Sequence, residues 1–152
     1  MKLRAATSKD YDALGQVMFR AIHEGESPYT KAQRLAWLPK ANSGAAWSDR
    51  LSQQYVVLAE RGNDILGFMS VFPYGYIDLA FILASARGQG VFGQLLRGVT
   101  DHATQQGLLR LTTHASLSAR PAFSRYGFET VRHEIVERAG DRLQRAEMVK
   151  RL

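Results

Sequence analysis

Groups able to move a proton near neutral pH are sparse in the apolar stretches of this chain, so their positions are informative. Asp78 is the only carboxylate in the segment Tyr76–Leu83. Strand alternation would set it on one face with Tyr76, Ala80 and Ile82. There it is either a proton acceptor or a solvent-facing side chain. His114 ends a second apolar run, Leu108–His114, and its imidazole either takes a proton near neutral pH or serves packing. Ser116 and Tyr126 place hydroxyls further on, in the stretch that ends Gly127-Phe128. No histidine–carboxylate spacing points to a metal. The chain has no cysteine, so disulfides, thiolate metal sites and a cysteine nucleophile are excluded.

Between these groups lies Arg87-Gly88-Gln89-Gly90-Val91-Phe92-Gly93. The glycines satisfy G-x-G-x-x-G, the spacing of a dinucleotide-binding loop, which needs a carboxylate about 20 residues later for the ribose. Here the following strand ends Leu111-Thr112-Thr113-His114 and offers none. The loop also falls past the midpoint of the chain, leaving too little sequence for a second βαβ half. A dinucleotide is therefore rejected. What survives is local: a strand stops, glycines let the backbone approach a ligand, and a helix begins with free N–H groups. That arrangement suits a pyrophosphate, and Arg87 adds a positive charge beside it. An ordinary strand-to-helix turn would also account for the glycines.

These groups are positioned by a regular succession of elements. Lys2–Ala5 reads as a strand, and Thr7 or Ser8 caps a helix to about Glu24 whose Leu14, Val17, Met18 and Ile22 share a face. Gly25–Ser52 is less regular, with short helices expected at Thr30–Trp37 and Ala46–Ser52. Tyr55–Glu60 and Ile65–Phe72 flank a Gly62-Asn63 turn. Tyr76–Leu83 precedes the glycine loop, and a helix from about Val91 to Gln106 stops at Gly107. Strand Leu108–His114, helix Ala119–Tyr126 and a terminal hairpin of Thr130–Arg138 with Arg142–Lys150 complete the chain. Residues 1–152 thus read as one α/β (α+β) domain.

Composition bounds the partners. The net charge of +6 favours anions, yet the basic residues are scattered and form no run of five or six, so a nucleic-acid-binding domain is not favoured. No apolar run reaches the roughly 20 residues of a membrane span, and the expected location is the cytoplasm. The final hairpin could pair between subunits as a homodimer.

Arg87-Gly88-Gln89-Gly90-Val91-Phe92 resembles the Q/R-x-x-G-x-G/A motif of the GNAT superfamily of N-acetyltransferases, with Leu95-Leu96 at the spacing usual there. A second landmark, Ser116-Leu117-Ser118-Ala119-Arg120-Pro121-Ala122-Phe123-Ser124-Arg125-Tyr126-Gly127-Phe128, resembles that family's late strand–helix unit. Tyr29, Gln33, Trp37 and Pro39 resemble the bacterial YafP-like branch. The resemblance implies a mixed, mostly antiparallel twisted sheet of six to seven strands flanked by helices. It implies acetyl-CoA as co-substrate, without a metal, and direct transfer of acetyl to a primary amine of a small molecule or protein. Its pyrophosphate would lie over Gly88–Gly93. Its pantetheine arm would pair with the strand Ile77–Leu83, and main-chain N–H groups near Phe81, Ile82 and Leu83 would stabilise the oxyanion on the thioester carbonyl.

Three positions depart from the family pattern. Phe92 replaces a small residue, with Gly93 next to it able to restore close approach. Phe123 stands where many members have the Tyr that protonates the departing thiolate. Tyr126 is the nearest replacement hydroxyl, although three helical positions rotate a side chain by about 300°. Ser116 stands where many members have Asn, and could bind cofactor or water, or cap the helix. Tyr29 and Trp37 belong to the segment that covers the acceptor in this family. The alternative reading is a CoA-binding or regulatory module of the same fold without transferase chemistry.

Overall fold

The computed structural model describes all of residues 1–152. Its centre is a seven-stranded sheet built from β1 (Lys2–Ala5), β2 (Tyr55–Arg61), β3 (Asp64–Val71), β4 (Tyr76–Ile82), β5 (Arg110–Ser116), β6 (Glu129–Arg138) and β7 (Asp141–Arg151). The spatial order is β1-β2-β3-β4-β5-β7-β6. Every neighbouring pair is antiparallel except β4 and β5, which are parallel. Five helices flank it: α1 (Tyr11–His23), α2 (Lys31–Trp37), α3 (Gly44–Ser52), α4 (Val91–Gln105) and α5 (Arg120–Arg125).

The central strands are apolar on both faces because helices cover both. Along β2, Val56 and Leu58 join Leu14, Val17 and Ile22 of α1 and Trp47 and Leu51 of α3 in one core. Val57 and Ala59 face the opposite way, into a second core with Leu95, Leu96 and Val99 of α4 and Phe123 of α5. This explains why Val56-Val57-Leu58-Ala59 runs apolar without alternation. No helix is long and apolar enough to cross a membrane.

Two expectations need correction. The strand expected at Leu108–His114 lies two residues later. Gly107, at φ +78°, and Leu108 close the end of α4 by donating to the Thr104 and Ala103 carbonyls, the paired bonds of a Schellman cap. Leu109 is left 82% exposed. His114 therefore lies inside β5 and Ser116 ends it. The second correction concerns β4. Val71 pairs with Ile77 and Ser70 with Leu79, so Asp78 is the extra residue of a β-bulge. Beyond it the alternation reverses: Ile77, Ala80 and Ile82 face the α4 core, whereas Leu79 and Phe81 face the α1 core. Asp78 thus does not share a simple face with Tyr76, Ala80 and Ile82.

Candidate active site

The parallel pairing of β4 with β5 comprises only Tyr76 with Thr112 and Ile77 with Thr113. The Thr113 hydroxyl donates to the Ile77 carbonyl at 2.9 Å, pinning the strands there. Beyond this point no further β4–β5 pairs form. The freed edges border two cavities that share Trp37, Ala80, Phe81, Ser116 and Ala119 in their walls. One is a groove of about 420 Å³ toward the glycine loop; the other, of about 200 Å³, lies toward β7 and the α1 side.

The groove ends at the loop between β4 and α4. Gly88 (φ +76°) and Gly90 (φ +81°) are both left-handed, and a Cβ at either would meet no atom within 4 Å. That combination gives an open cradle of main chain at the start of a 15-residue helix whose first N–H groups have no helical acceptor. Val91, 1% exposed, anchors the first turn in the core. Gln89 turns away, donating to the Ser85 carbonyl at 3.1 Å and accepting from Arg61 at 3.2 Å. Arg87 lines the groove but spends donors on the carbonyls of Ala21 (2.9 Å) and Glu26 (3.0 Å). Its charge stays at the groove while its fork ties the loop to α1.

Gly93 does not compensate for Phe92 in the expected way. The space its missing Cβ leaves is taken by the Tyr126 hydroxyl. Phe92 packs edge-on against Phe123 at 4.9 Å and stacks with Tyr126 at 6.0 Å, so the bulky residue is absorbed by an aromatic cluster. Phe123, 1% exposed, belongs to the core and lines the smaller cavity. Tyr126 is on the groove wall. Ser116 borders both cavities, and its hydroxyl accepts from the Ala119 N–H at 3.2 Å, starting the turn into α5.

Of the main-chain donors expected near Phe81–Leu83, Ile82 is the one whose N–H turns away from β3. The Leu83 N–H is occupied by the Leu66 carbonyl at 2.9 Å, and Leu83 is a core residue. Ladder alternation then turns the Phe81 N–H toward β3 as well, opposite Phe68. The N–H groups of Ala80 and Ile82 face the β5 side, where the strands part. The Phe81 side chain remains in the wall of both cavities.

The smaller cavity gathers the titratable groups. Asp78 accepts from Arg50 Nε (2.8 Å), Arg50 Nη2 (2.9 Å) and Gln54 Nε2 (2.9 Å). Its two oxygens are thus held by three donors. Arg50 is pushed above its usual range, mainly by that hydrogen bonding. His114 pairs through Nδ1 with the Tyr76 hydroxyl at 2.8 Å, and its Nε2 lies 3.6 Å from Glu134 Oε1. The carboxylate favours the tautomer with hydrogen on Nε2, leaving Nδ1 to accept from Tyr76. Burial first, then the Asp78 charge, push the Tyr76 hydroxyl above its ordinary value, so it carries its proton through neutral pH. Glu134 and Glu147 lie with His114 within 4.8 Å, but both carboxylates already pair with guanidiniums. Arg145 holds Glu134 at 3.0 Å and Arg132 holds Glu147 at 2.7 Å.

Tyr29 and Trp37 close the cavity from the N-terminal segment. Tyr29 donates to the Gln144 carbonyl at 2.6 Å and accepts from the Leu117 N–H at 2.9 Å, stapling the segment to β7 and to the turn before α5. Burial pushes its hydroxyl up. Trp37 stands edge-on to Tyr29 at 5.5 Å and tilts on Phe81 at 5.9 Å. The sequence reading missed Tyr76, Arg50 and Glu134 as site residues. A register for β4 against β5 would have exposed the Tyr76–His114 pair, because Tyr76 pairs with Thr112, two residues before His114.

The comparisons agree with this geometry. A family model described as an acetyltransferase (GNAT) domain matches residues 26–151. The chain is 29% identical over 141 residues to the uncharacterized N-acetyltransferase YafP of Escherichia coli (strain K12), covering 92% of this chain and 89% of that protein. A GCN5-related N-acetyltransferase of Rhodopseudomonas palustris superposes with a TM-score of 0.91 at 26% identity, over 99% of this chain and 95% of that one. The fold is also that of yncA from Salmonella typhimurium, solved with its cofactor acetyl-CoA (TM-score 0.70, 16% identity, 99% and 93% covered). With a glycine cradle, parted β4 and β5, and a family match over most of its length, the chain belongs to the GNAT acetyltransferase family.

Proposed function

We propose that the protein transfers an acetyl group from acetyl-CoA directly to a primary amine. The observation that carries this reading is the junction of two cavities where β4 and β5 part. One cavity leads to the glycine cradle, the other to the Tyr76–His114–Glu134 chain. In this reading the pyrophosphate lies over Gly88 and Gly90, and the thioester reaches the gap beside Ala80 and Ile82. The outward N–H groups there stabilise the developing oxyanion. The acetyl-CoA held by the Salmonella neighbour supports this choice of cofactor.

The reaction breaks the thioester C–S bond and forms a C–N bond. The amine must first be neutral, and an alkyl amine with pKa near 10.4 is only about 0.04% neutral at pH 7. In the proposed path the ammonium gives its proton to the Tyr76 oxygen while Tyr76 passes its own to His114 Nδ1. Glu134 then stabilises the imidazolium formed. Asp78, saturated by Arg50 and Gln54, shapes the acceptor wall. As the C–N bond forms the nitrogen becomes positively charged. As the C–S bond breaks it sheds its second proton to the leaving thiolate, through water or Tyr126 on the groove wall. CoA and the N-acetyl amine result, and the proton on His114 returns to solvent.

The test is turnover of acetyl-CoA with a panel of amines, followed by thiol release and product mass. An amide product one acetyl group heavier than its amine is expected. Binding of acetyl-CoA with no acetylated amine from any class would instead support the binding-module reading.

A further inference from the structure

The acceptor cavity carries more positive charge than its ion pairs use. Three guanidiniums line it, those of Arg50, Arg138 and Arg145, against one carboxylate, Asp78. Arg50 is committed to Asp78 through two nitrogens, and Arg145 to Glu134. Arg138 has no ion-pair partner and no side-chain hydrogen bond. It stands at the end of β6, where the chain turns through Ala139 at φ +48°. Val136, Leu143 and Gln144 in the same cavity wall bring no charge, and Asp141, the register partner of Arg138 across the hairpin, makes no ion pair with it.

A simple alkylammonium would enter this cavity against a net positive wall. A molecule with an anionic group beside its amine would be drawn in and oriented. Its anion would meet Arg138, and its ammonium the Tyr76 hydroxyl. Guanidinium suits a carboxylate because its N–H fork can make two parallel hydrogen bonds. Size points the same way. At about 200 Å³ the cavity is below the roughly 300–1,000 Å³ of pockets for drug-sized ligands, which favours a small molecule over a protein tail.

We infer that the acceptor is a small amine that also carries a carboxylate, of the amino-acid class, with Arg138 as the residue that binds the carboxylate. The inference rests on the acetyltransfer reading above, and its test separates the two. Common amino acids are compared with the amines that lack only the carboxylate, for example L-leucine with 3-methylbutylamine, by thiol release and product mass. The expected result is a kcat/KM preference of about tenfold or more for the carboxylated partner, the scale of one charge-assisted hydrogen-bond set. Arg138→Gln is expected to reduce that preference to within about threefold, through KM rather than kcat. Arg138→Glu is expected to invert it.

Equal kcat/KM for the two series, or a preference that survives Arg138→Gln, overturns the inference while leaving acetyltransfer standing. If neither series is turned over, the acetyltransfer reading has failed for these amines, and binding decides the cavity's specificity. Calorimetry of the CoA-loaded protein with N-acetyl-L-leucine and N-acetyl-3-methylbutylamine should then show binding of the first only, lost in Arg138→Gln. Equal binding, or none, overturns the inference.

Discussion

Replacing His114 with Gln keeps a polar side chain of similar size but removes the group that takes a proton from Tyr76. The structure sets the scale of the loss. Tyr76 and His114 are already in hydrogen-bond contact at 2.8 Å, and Glu134 stands 3.6 Å from the far nitrogen, so the path is assembled before substrate arrives. Without it, reaction depends on amine that is neutral in solution, about 0.04% at pH 7 for a pKa near 10.4. The ceiling on the loss is therefore about 2.5 × 10³-fold, which lies within the roughly 10²–10⁴-fold typical of general-base assistance. The deficit should shrink with pH, because about 4% of such an amine is neutral at pH 9. Thiol release at saturating acetyl-CoA, followed from pH 7 to 9 for wild type and variant, gives the ratio directly. A roughly 100-fold or larger deficit at pH 7 that narrows strongly by pH 9 is expected. A variant with wild-type turnover, or a deficit that does not change with pH, would refute the proton path.

Other substitutions probe separate links. Gly90→Glu should abolish CoA binding in calorimetry, because the added carboxylate would enter the phosphate cradle. A Cβ there meets nothing within 4 Å, but φ +81° strains any side chain, so circular dichroism should keep its wild-type shape with a lowered melting temperature. Tyr126→Phe should lower turnover less than tenfold, because a thiolate with pKa near 8.5 can take its proton from water; a loss of 10²-fold or more would make Tyr126 the acid. Asp10→Asn should destabilise the protein by about 1 kcal/mol at pH 7, discounted for exposure of the pair, because Asp10 holds Arg4 at 2.8 and 2.9 Å and accepts the Thr7 N–H. Arg4 pulls the Asp10 carboxyl down to about 2 from 3.8. Its contribution is thus complete above pH 4 and fades as pH falls through about 2. Chemical denaturation of both proteins between pH 7 and 2 should show the two stabilities converging.

Much of the frame was legible because local rules agree with the global fold. The expected helix at Thr30–Trp37 forms as α2, with Thr30 capping it by accepting the Gln33 N–H at 3.1 Å, and Gly107 stops α4 as expected. The misreadings arise where distant contacts overrule local pattern. Nothing in Tyr76–Leu83 marks a bulge at Asp78, since no glycine or proline lies there; the register of β3 imposes it. Leu108-Leu109 reads as strand only because the sequence does not show that the helix cap consumes Leu108. The site was legible as a glycine loop and as candidate residues. The partners that set its chemistry were not, because Arg50 of α3 reaches Asp78 through helix-on-sheet packing and His114 reaches Glu134 through sheet register, joining segments 28 and 20 residues apart that no short-range pattern connects.

The most direct test of the central claim is calorimetric titration with acetyl-CoA, with NADH titrated in parallel and Gly90→Glu as the control. The account predicts stoichiometric binding of acetyl-CoA to the wild type, none to the variant and none of NADH to either. Tight NADH binding without acetyl-CoA binding, or acetyl-CoA affinity unchanged in Gly90→Glu, would contradict it.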